Sequence, residues 1–217
     1  MAAPREKWIF ETEEKLIFRQ TGDSIIGTLV PDGYIMRDNT HIIMNNDNQC
    51  FNLKYVLALL NSKLTNYFYW TINTEKGEAM AQVKAFHLGL LPIKTIPLLE
   101  QHPFINLADK MLSFNSNLQT KRQRFLKRLS DIFSGIKITG KIEIFDELDF
   151  KQFVAKLQKQ KITLTLKQQD EWEDYFLDYK TECNLLSAQI SETDKKIDES
   201  VYELYGLSIE EIKIIEK

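Results

Sequence analysis

Apolar and polar residues alternate through the first part of the chain, and then the period changes. Residues 15–19 and 24–30 alternate as half-buried strands do. Pro31-Asp32-Gly33 is a turn with a mechanism, since proline presets φ and glycine tolerates positive φ. Residues 34–36 and 40–44 are expected to continue the sheet, and residues 45–49 read as a polar loop. From Asn52 the apolar residues Leu53, Val56, Leu57, Leu60 and Leu64 lie on one face of a helix. Asn52 can cap that helix, which should run to about Trp70. A polar segment with Gly77 follows over 71–81, and residues 83–93 return to apolar character.

Beyond about Phe104 the pattern is helical. Leu107, Met111, Phe114, Leu118, Phe125, Leu129 and Ile132 are spaced in helical steps, with a polar break around Lys121 and a stop at Gly135. Residues 137–145 alternate around Gly140 and suggest a short hairpin, while Phe150, Phe153, Val154 and Leu157 suggest a short helix. Thr165-Leu166-Lys167-Gln168 has the form of a capping box. It opens a seam of Trp172, Phe176, Tyr179, Cys183, Leu186, Ile190, Thr193, Ile197, Val201 and Leu204, stepping by four and three as a coiled-coil stripe does. Gly206 is a helix stop, and Ser208-Ile209-Glu210-Glu211 opens a last short helix. The two long helices should pair as an antiparallel hairpin of about 40 Å at 1.5 Å rise per residue. The class expected is α+β: a mixed α/β domain over residues 1–103, then a helical, coiled-coil-like region over 104–217.

Composition narrows the chemistry. The 217 residues are 43% hydrophobic and 27% charged, as in an ordinary globular protein. No apolar run reaches the roughly 20 residues of a membrane span. The N-terminus has no signal-peptide core, so a cytoplasmic protein is expected. The net charge of -3 counts against a generally basic nucleic-acid binder but leaves room for a local basic groove. Cys50 and Cys183 are expected to be free, partly buried thiols. His41, His87 and His102 are scattered and read as structural. Pro31-Asp32 is a possible start of a metal-nuclease pattern. Its candidate partners, Asp194-Lys195-Lys196 and Glu211-Ile212-Lys213, fall on helices and read as solvated faces. The sequence has no Pro-Pro-Tyr/Phe loop and no Gly-x-Gly of the kind a DNA amino-methyltransferase needs. A catalytic nuclease is therefore disfavoured, and a non-catalytic chain is expected.

Several stretches, in this order, resemble the TaqI-like C-terminal specificity domain, the target-recognition part of type IIG-like restriction–modification enzymes. They are Ile17-Phe18-Arg19-Gln20-Thr21-Gly22, then Gly33-Tyr34-Ile35-Met36, then residues 53–64 with Asn61-Ser62-Lys63, then Gln82-Val83-Lys84 running to Leu91-Pro92-Ile93. Residues 161–176 and 197–207 are similar to tail segments of the same enzymes, and the last motif also ends many type I specificity subunits. The resemblance implies sequence-specific recognition of double-stranded DNA, with cutting and methylation left to separate modules. The chain would then be an excised fragment or a separately encoded specificity piece, acting with a methyltransferase/nuclease module in cis or in trans. No cofactor is expected in this chain itself. S-adenosylmethionine and Mg would belong to the partner modules.

The resemblance singles out Arg19, Gln20 and Thr21 as DNA-binding candidates, although Arg19 could instead brace a buried carboxylate or carbonyl. Arg37, Asn39 and Thr40 follow a turn, and Trp70, Asn73, Thr74 and Lys76 border a polar segment. Either group suits base reading or an ordinary surface loop. Lys84 suits a phosphate contact or a solvated position. Lys121, Arg124 and Arg128 belong to the densest basic cluster, which suits a phosphate backbone or the outer face of a helix. The alternative function is a helical protein-interaction module without a DNA role, working through its heptad seam.

Overall fold

The computed structural model describes residues 6–37, 39–45, 50–73 and 75–217. The chain forms two compact units, residues 1–112 with 193–217, and residues 113–192.

The first unit opens with the short helix α1 (Trp8–Glu11). It is built on a three-stranded antiparallel sheet of β1 (Glu14–Arg19), β2 (Gly27–Pro31) and β3 (Thr40–Ile43), in the order β2-β1-β3. The alternation on β1 turns Leu16 and Phe18 into the core, where they pair across the sheet with Leu29 and Ile43, and with Gly27 and His41. Gly27 is required there, because an added Cβ would lie 2.2 Å from the Phe18 ring. Residues 34–36 do not continue the sheet. β2 and β3 both run antiparallel to β1, on opposite sides of it. The connection from Pro31, which pairs with Glu14, must therefore cross to Thr40, which pairs with Arg19. Residues 24–26 also lie outside β2; the Ile25 N–H donates instead to the Asn66 side chain at 2.7 Å.

The sheet packs on α2 (Leu53–Asn61), whose Leu53 and every residue from Tyr55 to Leu60 are buried. Asn52 caps it as expected, accepting from the Lys54 N–H at 2.8 Å. The helix ends at Ser62 rather than continuing to Trp70. Ser62 takes extended dihedrals and its side chain caps a second helix, α3 (Lys63–Ile72). A one-turn helix, α4 (Ala85–Leu88), precedes the apolar run to Ile93.

Three longer-range helices follow: α5 (His102–Ile132), α8 (Leu166–Tyr205) and α9 (Ile209–Ile215). The grouping of residues differs from a division at 103/104, because the C-terminal segment is part of the first core. Ile197 and Val201 are buried with the sheet and α2. The Asp198 carboxylate accepts from the Lys63 N–H at the start of α3 at 2.8 Å. The Tyr205 hydroxyl donates to the Pro92 carbonyl at 2.6 Å. The Ile197–Leu207 motif thus contacts the Asn61-Ser62-Lys63 and Leu91-Pro92-Ile93 motifs, each of which recurs in the sequence resemblance.

The second unit holds the rest of α5 and α8, with α6 (Gly140–Glu143) and α7 (Phe150–Gln158). The expected hairpin at 137–145 is absent. Ile142 and Phe145, three residues apart, enter the core on a helical spacing. α5 runs unbroken past Lys121, which pairs with Glu182 at 2.5 Å. Its antiparallel course against α8 is marked by Lys121 beside Glu182 and by Phe133 beside Trp172. The seam is not a simple two-helix zipper. Phe145 and Phe153 of the insert pack against Phe125 of α5 and Phe176 of α8, stacked for Phe125–Phe145 and edge-on or tilted for the other pairs. Asp146 is buried and takes a two-pronged ion pair from Arg122 at 2.8 and 2.7 Å. The Lys180 ammonium donates to the carbonyls of Asp146 and Leu148. Both cysteines are free. Cys183 is buried, which pushes its thiol up to about 11, whereas Cys50 is exposed rather than partly buried.

Candidate nucleic-acid interface

β1 ends at Arg19, and the chain turns through Gln20, Thr21, Gly22 and Asp23. Three segments close on this turn. From the β3 side, the Gln20 N–H donates to the Asn39 carbonyl at 2.9 Å, and Thr40 stands opposite Arg19. From residues 81–83, the Gly22 N–H donates to the Ala81 carbonyl at 2.9 Å, and the Val83 N–H donates to the Gln20 carbonyl at 2.7 Å. Thr21 forms an isolated bridge with Gln82. From α3, the Trp70 indole N–H donates to the Asp23 carbonyl at 2.9 Å.

The Arg-Gln-Thr-Gly sequence has a local explanation. Gly22 has φ +127°, which L side chains rarely adopt, and the Arg19 guanidinium lies over it. An added Cβ would stand 3.0 to 3.1 Å from the guanidinium atoms. Glycine supplies both the backbone conformation and the room for the arginine. Arg19 is exposed and sits electrostatically near Asp23, rather than bracing a buried group.

The segment after α3 is tied down at several points. The Asp23 carboxylate accepts from the Gly77 N–H at 3.0 Å and from the Ser24 hydroxyl at 2.9 Å. The Gly77 bond is the chief reason its carboxyl stays below the usual aspartate range. The Lys76 ammonium lies 3.6 Å from the centroid of the Trp70 ring, a cation–π contact. Glu75 accepts from the Gln82 N–H at 2.9 Å and pairs with the Lys84 ammonium. The Lys84 bond holds the Glu75 carboxyl down and the Lys84 ammonium up.

The structure therefore gathers Arg19, Gln20, Thr21, Asn39, Thr40, Trp70, Lys76 and Lys84 around one turn, with Arg37 three residues before Thr40, whose hydroxyl donates to the Arg37 carbonyl. Asn73 has a different place. It is 3% exposed, and its amide donates to the Tyr69 hydroxyl and the Gln82 carbonyl, so it supports the segment from below. Thr74 lies outside the described residues. Lys121, Arg124 and Arg128 belong to the second unit. There Lys121 is engaged by Glu182 and lies 6.0 Å from the Tyr179 ring centroid, and Arg128 is exposed. Arg124 is exposed. His41 is structural, with Nε2 2.6 Å from the Val83 carbonyl oxygen.

Asp23 and Glu75, which are not among the residues singled out by the sequence, organise the site together with Gln82, which the sequence marks only as part of a motif. Asp23-Ser24 directly after Gly22 is a local acceptor pair of the kind that fixes turns, and it was the available signal. Among the described residues, no group of three or more His, Cys, Asp or Glu is placed to hold a metal ion. None of the described helices is long and apolar enough to cross a membrane.

Residues 1–93 match the TaqI-like C-terminal specificity domain, and residues 97–201 match a domain of unknown function, DUF8810. The first match contains the whole turn and its three clasping segments. The tail segments that resemble the same enzymes fall outside it. No curated protein and no solved structure matches the chain.

Proposed function

We propose that the TaqI-like C-terminal specificity domain of residues 1–93 reads double-stranded DNA by sequence, for methyltransferase and nuclease modules of a type IIG-like enzyme. The specificity domain is itself a recognition part and not a catalytic one. The observation that carries the proposal is the single turn on which Arg19, Thr21, Asn39, Thr40 and Lys76 converge. Base reading requires hydrogen-bonding side chains held at fixed geometry, since one two-pronged pair discriminates by about 1–3 kcal/mol. Cations nearby set register on the phosphates. Arg37 suits that second task and Arg19 and Lys76 suit either, whereas Lys84 is already neutralised by Glu75. In this reading S-adenosylmethionine and Mg are held by the partner modules, in cis or in trans, and the enzyme works in the cytoplasm.

The second unit takes a docking role in the same reading. Lys121 and Arg122 have ion-pair partners within the unit, which favours protein contact over phosphate contact there.

The test is selection of the purified chain against a random duplex pool at about 50 mM salt, followed by sequencing of the retained DNA. An enriched short motif is the expected result. Arg19→Ala and Lys76→Ala should each weaken binding or alter the motif, and should reduce the salt slope by about 0.9 for each phosphate that the variant no longer neutralises. Absence of any duplex binding would favour the interaction-module reading.

A further inference from the structure

Asp23 ties the Lys76–Gly77 bend to the turn, while Glu75 separately ties the neighbouring residues to Gln82 and Lys84. The Asp23 carboxylate accepts the Gly77 N–H directly. Its carbonyl accepts the Trp70 indole N–H, and Trp70 in turn carries Lys76 on its ring. On its other side stands Arg19, folded over Gly22. The two ends of the segment are fixed separately, by Asn73 to Tyr69 and by Ala81 to Gly22. What Asp23 adds is the position of the middle, where Lys76 and Gly77 lie.

An anionic residue among cations that face DNA is costly if it meets a phosphate. Asp23 avoids this by being half-buried and by spending both carboxylate oxygens on protein donors, Gly77 and Ser24. Those bonds also keep its carboxyl ionised to lower pH than an ordinary aspartate.

We infer that Asp23 is a specificity-determining positioning residue: it locks the Lys76–Gly77 bend to the Arg-Gln-Thr-Gly turn, so that Lys76 and Arg19 meet DNA as one fixed pair. The inference rests on the duplex-reading proposal for its consequence, but the lock itself is observable without DNA.

The closing experiment compares Asp23→Ala, Asp23→Asn and wild type in two readouts. The first is native-state hydrogen exchange at the Gly77 amide. Asp23→Ala should speed it by about tenfold, the worth of one net hydrogen bond, while Asp23→Asn, which keeps an acceptor oxygen, should leave it near wild type. The second is the ratio of binding to the selected motif over a scrambled duplex. That ratio should fall by about tenfold in Asp23→Ala, with scrambled-duplex binding retained, and be rescued in Asp23→Asn. If Asp23→Ala does not fold, Gly77→Ala serves instead. Gly77 has φ +79° and open space around it, so the added methyl disturbs only the backbone that presents the N–H. An unchanged Gly77 exchange rate overturns the lock. A wild-type motif ratio in a variant whose bend is released overturns its role in specificity, as does failure of Asp23→Asn to rescue. A wild type that enriches no motif overturns the duplex-reading proposal and the specificity role together, and the exchange data still judge the lock.

Discussion

The two units hold their chains together by different means. In the second, aromatic rings from α5, the α6–α7 insert and α8 fill one interior, with Phe125, Phe145, Phe153 and Phe176 fully buried. In the first, the apolar core is largely aliphatic, and side-chain amides stitch loops to it. Asn66 bonds both backbone groups of Ile25, Asn61 bonds both backbone groups of Gly27, and Gln101 accepts from the Asn52 N–H and donates to Cys50 and Ile96. Ring packing is strong but not directional enough to place a loop. Amide bonds contribute less each but fix a backbone segment in orientation as well as distance. The unit that contains the residues matching the TaqI-like specificity domain is the one whose loops are fixed this way.

Substitutions can break this contrast. The largest effect should come from Phe125→Ala, which empties the centre of the second unit. A loss of about 3–5 kcal/mol is expected in denaturant unfolding, with the Phe133–Trp172 neighbourhood reporting by tryptophan fluorescence. Asn66→Ala should cost less, about 1–3 kcal/mol, because it leaves the buried Ile25 N–H without its acceptor. Its distinguishing mark is faster hydrogen exchange over residues 24–27. Equal exchange there in Phe125→Ala and Asn66→Ala would erase the contrast.

The third prediction concerns pH. Burial raises the Asp198 carboxyl above the ordinary aspartate value, more than its bond from the Lys63 N–H and the neighbouring Lys63 ammonium lower it. Asp194 is raised in the same way, while Glu216 is held down by Lys63 and Tyr202. A carboxyl raised on folding binds its proton more tightly in the native state, so its charged form opposes folding above the raised value. Asp198→Asn keeps an acceptor for the Lys63 N–H and removes that charge. The variant should gain on wild type near neutral pH, and the gain should shrink as pH falls through the raised value toward the ordinary one. Thermal unfolding across pH 4 to 8 checks it, and a gain that grows on acidification contradicts the assignment. The smallest effect is expected from Glu182→Gln, about 0.5 kcal/mol and reduced by salt, because the pair with Lys121 is partly exposed.

The short-range features were legible in the sequence because their causes are short-range. Asn52, Thr165 and Ser208 cap the helices that follow them, and Gly206 ends α8 at φ +69°. The amphipathic runs over α2, α5, α7 and α8 mark real helices. Where the pattern misled, a partner distant in sequence was responsible. Ser62 divides one periodic run into two helices whose junction is held by Asp198, more than a hundred residues away. Residues 137–145 alternate, yet short helical turns form from Gly140 onward, because Ile142 and Phe145 are captured by a core that α5 and α8 supply.

The candidate site divides along the same line. The sequence by itself ended one strand at Arg19 and left a break before residue 24; that Gly22 is required in that break, at φ +127° beneath the Arg19 guanidinium, only the structure shows. The sequence also determined that the polar segment after α3 is a loop. Only the tertiary structure decided which side chains face outward together. Asn73 turns inward to Tyr69, Lys84 is neutralised by Glu75, and Asp23 ties Gly77 and Trp70 to the turn. Backbone preference is set within a few residues. Whether a polar side chain meets solvent or a buried donor depends on segments brought from elsewhere in the chain, and a one-dimensional pattern does not encode that meeting.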